Sequence, residues 1–485
     1  MNARETTGTS YIGPVSPAAL RRALSGLDYF SFGFGSMVGV GWLVVMGDWL
    51  GRGGPLGAAL AFAAGGLCLL PIARVYGALV RDLPDAAGEV AYTEGVLPPV
   101  VSFGAGWVMV LAYAIVCPWE AVAIGNLLAR LLPGINHGAL YDVAGRTIFA
   151  PRLAVGVCLT GLIGYINYRG IRSSGRLQTA TTIGLLACVA VFVALGLLRG
   201  DPAALPPLFA RPGTGGALVS TLLVLQIVPY FMTGFESIGK AAEEARPGFE
   251  PRGFGRAMTQ AVVGAAVFYV VVIIATALVS PWHELVDQGL GPDTVFARAF
   301  GSTAIARLII AGALLSLIKV FNGNFVAATR LLFALGRRNL APQAFGRVHP
   351  RYGTPAVAVV GLAILTVLAA CFGDAVLIPI TEVGSLAAGL GWCAACIALI
   401  VRRRRAGNTA WFGIVGATVS VAIVVMKLLP SIPGSFSKPE WIAFGIWCAA
   451  GLAIWFSSQY EWPSGGGAGR VRRGGARARD QRDGQ

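Results

Sequence analysis

Ionisable side chains are scarce in this chain: Asp, Glu, Lys and Arg make up 13% of 485 residues, and histidine occurs three times. That excludes an ordinary soluble domain, in which about a quarter of residues are charged. His137, His283 and His349 fall in segments read as loops, so a histidine-centred intramembrane enzyme lacks its constellation. Neither an HExxH helix nor a phosphate-cradling P-loop occurs. Gly39-Val40-Gly41 has no βαβ unit around it that would make it a dinucleotide fingerprint. The eight cysteines fall within or at the edges of apolar runs, where a free thiol behaves as a small hydrophobe. Cys393 and Cys396 have CxxC spacing but lie inside an expected helix with no second pair, so neither disulfide, metal nor other cofactor is expected. Residues 1–23 are polar and the first apolar run is too long for an h-region, so no cleavable leader is expected either.

What the chain has is apolar length, with 55% hydrophobic residues and a mean hydropathy of +0.69. A helix spanning a bilayer needs about 20 mostly apolar residues. Twelve stretches qualify, near 27–47, 56–79, 100–131, 150–168, 177–198 and 217–242, then 258–281, 297–333, 355–373, 376–401, 410–429 and 440–458. The expectation is an all-α integral membrane protein with twelve transmembrane helices. The third and eighth stretches exceed what a bilayer needs, which implies tilt or extension into water.

Orientation follows from the basic residues. With both termini in the cytoplasm, the inner loops and tails hold 27 Lys and Arg and the outer loops 10; Lys319, inside the eighth span, completes the 38. This is the positive-inside bias of a plasma (inner) membrane protein, and it accounts for most of the formal charge of +15. Arg402 to Arg405 and the Gly/Arg-rich tail read as orientation and lipid-headgroup signals rather than a nucleic-acid surface. The expected layout is a cytoplasmic tail (1–23), a first repeat of five spans (24–199), a second repeat (200–402), two further spans (403–459) and a disordered, basic cytoplasmic tail (460–485). An odd number of spans per repeat makes the two repeats inverted.

Two apolar stretches are interrupted at matching places, Gly35-Ser36-Met37-Val38-Gly39-Val40-Gly41-Trp42 and Pro229-Tyr230-Phe231-Met232-Thr233-Gly234-Phe235-Glu236. A broken helix at membrane depth is tolerated only where protein or a water-filled cavity covers it. Interruptions at equivalent positions of two repeats point to a mid-membrane binding site of a secondary transporter. Opening a helix frees N–H groups at one break and carbonyls at the other, a cradle that suits a zwitterion. Plain helix packing through the Gly35 and Gly39 pair is the alternative reading of the first motif.

The third helix of each repeat carries one ion at depth, Glu120 and Lys319. At 1.5 Å per residue, Lys319 lies about 16 Å from Arg330 and Glu120 about 15 Å from Arg130, near the middle of a core about 30 Å thick. A charge there costs about 2.5–3.5 kcal/mol on insertion scales, so such residues face the protein interior. Glu120 is either a structural carboxyl or a cavity acid that holds a substrate cation, carries a proton or pairs with Lys319. Lys319 is either half of a permanent ion pair or a buried amine able to cycle between charged and neutral forms. Glu382 falls near the outer boundary and stays outside the core site.

The glycine motif resembles the first-helix signature of the amino acid–polyamine–organocation permeases. Gly234-Phe235-Glu236-Ser237 followed by Glu243-Glu244-Ala245-Arg246-Pro247 resembles their sixth helix, and Asn322-Gly323-Asn324 through Arg337, with Val348-His349-Pro350 and Thr354-Pro355, their eighth helix and following loop. The resemblance runs from about Leu24 to Arg402 and implies a five-plus-five inverted repeat of the leucine-transporter type, working by alternating access on an amino acid or small amine. It implies that backbone at Ser36, Val38, Gly39, Val40 and Gly41 meets a substrate carboxylate, that carbonyls near Phe231 to Phe235, with Gly234, meet the amino group, and that Phe235 and Trp42 close over the ligand. Glu236 falls where relatives place an acid linked to proton sensing or gating. Sodium-coupled relatives hold their cation with eighth-helix hydroxyls and first-helix carbonyls; here Ser316 is joined by Lys319, which points to protons or exchange. A polytopic enzyme and a non-transporting sensor or channel remain the competing classes.

Overall fold

The computed structural model describes residues 20–373, 377–432 and 435–460. The expected tails beyond these limits lie outside the described residues.

Ser25 and Asp28 form a capping box that starts α1 (Gly26–Met37), each satisfying the other's backbone N–H. The helix stops at Val38, which is extended (φ −88°, ψ 91°), and resumes as α2 (Gly41–Val44). Next comes α3 (Met46–Asp82), kinked where Gly54 (φ 68°) precedes Pro55. After α4 (Glu89–Thr93), the third expected span is two helices, α5 (Pro99–Ala114) and α6 (Val116–Leu131), jointed at Ile115. The cause is Pro118, whose ring has no N–H for the Ala114 carbonyl four residues back. A hairpin of β1 (Ala139–Val143) and β2 (Arg146–Phe149) leads to α7 (Ala150–Arg169) and α8 (Ile171–Arg199).

The sixth expected span lies in three pieces, α9 (Gly216–Leu225), α10 (Val228–Met232) and α11 (Ser237–Lys240). Then follow α12 (Arg252–Val279), α13 (Trp282–Asp287), α14 (Pro292–Phe300) and α15 (Thr303–Arg337). The eighth expected span, 297–333, is therefore too long at its start: Gly301, left-handed at φ 60°, ends α14, and the long helix begins at Thr303. The chain closes with α16 (Ala356–Ala370), α17 (Leu377–Arg405), α18 (Trp411–Leu428) and α19 (Lys438–Tyr460).

Among the described residues, ten helices are long and apolar enough to cross a membrane, with α1–α2 and α5–α6 each counted once; α9 and α16 are shorter apolar helices. The long helix α15 runs through the middle, touching α1, α5, α6 and α8, and is buried almost continuously from Leu317 to Gly336. At the margin, α19 turns Trp441, Ile442, Ile446 and Phe456 outward, an apolar surface that lipid covers. It is tied to α5 by Trp107 and Trp447, stacked at 4.5 Å, each indole donating to the other's carbonyl.

Candidate functional site

Ending a helix in the membrane leaves its last carbonyls without partners. At α1 each is answered. Phe34 O accepts the Val38 N–H at 3.0 Å, Gly35 O accepts Lys319 Nζ at 3.2 Å, Ser36 O accepts Asn324 Nδ2 at 3.3 Å, and Met37 O accepts the Tyr269 hydroxyl at 3.0 Å. Val38 O accepts both Ser316 Oγ, at 2.8 Å, and Lys319 Nζ. The ammonium of Lys319 thus sits at the negative end of the α1 dipole, where a cation is most favoured.

The second break is bound to the first. Tyr269 OH also lies 3.3 Å from Phe231 O, Thr233 Oγ1 donates to Pro229 O at 2.6 Å, and the Gly234 N–H donates to Glu236 Oε2 at 3.1 Å. Gly234 has φ 133°, and a Cβ there would stand 2.6 Å from Ser36 Cβ; one on Gly41 would stand 2.6 Å from the Phe231 ring. Only glycine lets the two unwound segments approach this closely.

Between them is a cavity of about 30 Å³, room for two or three water-sized groups. Ser36, Gly39, Val40 and Gly41 form one wall, Trp119 and Glu120 another, and Tyr230, Phe231, Thr233 and Asn324 much of the rest. Among the described residues, the amides of Val40, Gly41 and Trp42 have no backbone acceptor. Glu120 is buried, its Oε2 has no partner, and its Oε1 would lie 3.4 Å from a Cβ on Gly39. Trp119, Tyr230 and Phe231 also line a larger cavity of about 360 Å³, together with Asp48, Arg52 and Glu382. They form an aromatic partition shared by the two.

The opposite end of the bundle is shut by ion pairs: Lys240–Glu89 at 2.6 Å, Arg330–Glu244 at 3.1 Å, Arg337–Glu243 at 2.5 Å and Arg338–Asp85 at 2.6 Å. Burial alone would raise the Asp85 carboxyl, but the hydrogen bonds and charge of Arg338, with the Ala87 amide and Arg337, hold it below its ordinary value.

Of the residues singled out from the sequence, Ser36, Gly39, Val40, Gly41, Phe231 and Glu120 line the small cavity. Val38, Gly234, Glu236 and Lys319 stand behind its walls. Trp42 packs on Phe192 and Phe268, and Phe235 lies between Tyr76 and Trp392, so the aromatic groups facing the cavity are Trp119, Tyr230 and Phe231. Glu120 and Lys319 do not pair, since the ammonium is committed to carbonyls. Two basic residues counted with the inner loops, Lys240 and Arg330, are fully buried against acids. Glu382 is tied to Lys427 on α18. Asn324, Thr233, Tyr230 and Trp119 complete the wall; their signals were the Asn322-Gly323-Asn324 motif, the second break itself and, for Trp119, adjacency to Glu120.

A helical membrane bundle with two broken helices meeting at a buried cavity is the build of a permease. The chain belongs to the amino acid permease family of the amino acid–polyamine–organocation superfamily, whose family model matches residues 28–434. It is 25% identical over 461 residues to the methylthioribose transporter of Bacillus subtilis (90% of this chain, 93% of that one) and 25% over 450 residues to the branched-chain amino acid permease BcaP of the same organism (90% and 87%). It is also 25% identical over 401 residues to the vacuolar cationic amino acid transporter 4 of Arabidopsis thaliana (80% and 64%). This is therefore an integral membrane transport protein and not an enzyme. Relatives with such different names leave the substrate to be read from the cavity.

Proposed function

We propose that this chain is a secondary active transporter that moves an amino acid or related small amine across the plasma membrane by alternating access, with both termini cytoplasmic and transport linked to protons or to exchange. The observation that carries this reading is the meeting of two unwound segments at one cavity. In it, the twelve spans form the five-plus-five inverted repeat, α9 to α11 being the sixth span and α16 the ninth.

The roles follow from charge. Free amides at Val40 to Trp42 carry the positive end of a helix dipole and suit a carboxylate. Carbonyls at the end of α10 suit an ammonium; that of Pro229 has Thr233 as donor and that of Phe231 shares the one Tyr269 hydroxyl hydrogen with Met37 O, which leaves Tyr230 O and Met232 O for the ligand. Glu120 faces this space without a cation of its own, so a proton or a substrate ammonium neutralises it. Lys319, fixed between Gly35 O and Val38 O, supplies the charge that sodium supplies in sodium-coupled relatives. The four ion pairs close the cytoplasmic side, and the aromatic partition is the outer barrier.

A thermal-shift screen of purified protein against amino acids and amines identifies the ligand, because a compound that binds only the folded state raises its stability. Counterflow in liposomes then tests transport. Stimulation of labelled uptake by unlabelled internal substrate is expected. Uptake without such stimulation makes the protein a channel, and ligand binding without uptake makes it a sensor.

A further inference from the structure

The cavity between the breaks sets a size for what it holds. Its volume of about 30 Å³ has room for two or three water-sized groups. In the liquid these take up about 60–90 Å³, close to the bulk of the smallest amino acids. Little on the walls is left to bind a polar side chain. Ser36 Oγ donates to Phe32 O at 2.7 Å, Thr233 Oγ1 to Pro229 O at 2.6 Å, and Asn324 Nδ2 to Val320 O at 2.9 Å as well as to Ser36 O. Met37, Ala112, Val116, Val320 and Gly384 bring no polar side chain at all.

The position of the one charge points the same way. Among the described residues, Glu120 is the one acid that lines the cavity, and its Oε1 would stand 3.4 Å from a Cβ on Gly39, next to the free amides of the first break. An ammonium on the α-carbon of a ligand whose carboxylate is held by those amides meets Glu120 there. The tip of a lysine or arginine side chain lies several bonds further on, where the remaining wall is apolar.

More space exists, but behind aromatic rings. Trp119, Tyr230 and Phe231 line both this cavity and the larger one of about 360 Å³. Tyr230 is backed by Gly384, where a Cβ would stand 3.3 Å from the ring, and meets Phe231 edge-on at 5.2 Å; Phe231 in turn meets Trp49 at 4.9 Å. Side chains packed this closely resist added volume. A ligand side chain larger than a methyl or hydroxymethyl group reaches the larger space only by displacing one of these rings.

We propose that the substrates are the smallest neutral amino acids, glycine, alanine and serine, and that Trp119 and Tyr230 set this limit as the wall shared with the larger cavity. This rests on the transport reading above and narrows it. Glu120 then serves the α-ammonium common to all three and does not select a cationic side chain.

The test is counterflow in liposomes with labelled alanine, leucine and lysine, each against its own unlabelled form inside. Wild-type protein should exchange alanine at least tenfold faster than leucine or lysine. Trp119→Ala and Tyr230→Ala each join the two cavities, so the ratio of leucine to alanine exchange should rise at least tenfold in both. Tyr230→Phe keeps the ring and should keep the wild-type ratio. A preference for alanine of less than tenfold in the wild type overturns the size limit whether or not any variant folds, and leaves the transport reading intact. A leucine-to-alanine ratio that does not move in whichever alanine variant folds overturns the role of the shared wall. Wild-type protein that exchanges other amines but none of these three refutes the substrate class alone; no counterflow on any amino acid or amine refutes the transport reading and this inference with it.

Discussion

The buried ions of this chain are answered in three different ways, and each way predicts a different response to substitution. Lys319 is met by backbone carbonyls. Replacing it with Met leaves Gly35 O without a donor, at a cost of about 1–3 kcal/mol, while Val38 O keeps Ser316. The Lys319→Met protein should therefore melt below the wild type, and wild-type uptake should be indifferent to sodium at a fixed proton gradient. Sodium-dependent wild-type uptake contradicts the role given to the ammonium. Among the described residues Glu120 makes no ion pair and its Oε2 has no hydrogen-bond partner, so Glu120→Gln removes the acid proposed to carry the proton. Counterflow should persist in that variant while accumulation driven by a proton gradient is lost. Arg330, by contrast, has Glu244 on two nitrogens, and losing one member of such a buried pair costs about 3–5 kcal/mol.

At the scale of the helical element, the two breaks depend on glycine for contact rather than flexibility. Gly234→Ala places a Cβ 2.6 Å from Ser36 Cβ at a left-handed residue, and Gly41→Ala meets the Phe231 ring at 2.6 Å. Both variants should lower the melting temperature and weaken ligand binding. The breaks were legible in the sequence because glycine and proline interrupt apolar runs there. Side-chain direction beyond a break was not legible, because unwinding resets the helical phase; hence Trp42 and Phe235 turn away from the cavity and Trp119 and Tyr230 face it. The joint at Ile115 was also missed, although Pro118 announces it. Lys240 read as a loop charge because its partner, Glu89, lies 151 residues away in sequence. Only the packed chain brings such a pair together.

Across the whole molecule, one end is held by charge and the other by three aromatic side chains. The charged end has a calculable acid response. Asp85 is depressed in the folded protein, so its contribution is complete above its unfolded value of about 3.9 and fades as pH falls through its lower folded value. Hydrogen-exchange protection around residues 83–90 should drop only below about pH 4, and Asp85→Asn should lack that acid step. A drop already at neutral pH contradicts the assignment. The central claim, that the space between the broken helices is where the ligand sits, is tested most directly by equilibrium binding to Gly39→Ala. Its new methyl group meets Glu120 Oε1 at 3.4 Å and Val320 at 3.5 Å, ordinary contact distances that leave the fold intact, yet it fills a substantial part of a cavity of about 30 Å³. The account predicts an unchanged melting temperature without ligand and an affinity at least tenfold weaker; unchanged affinity in the folded variant would place the ligand elsewhere and contradict it.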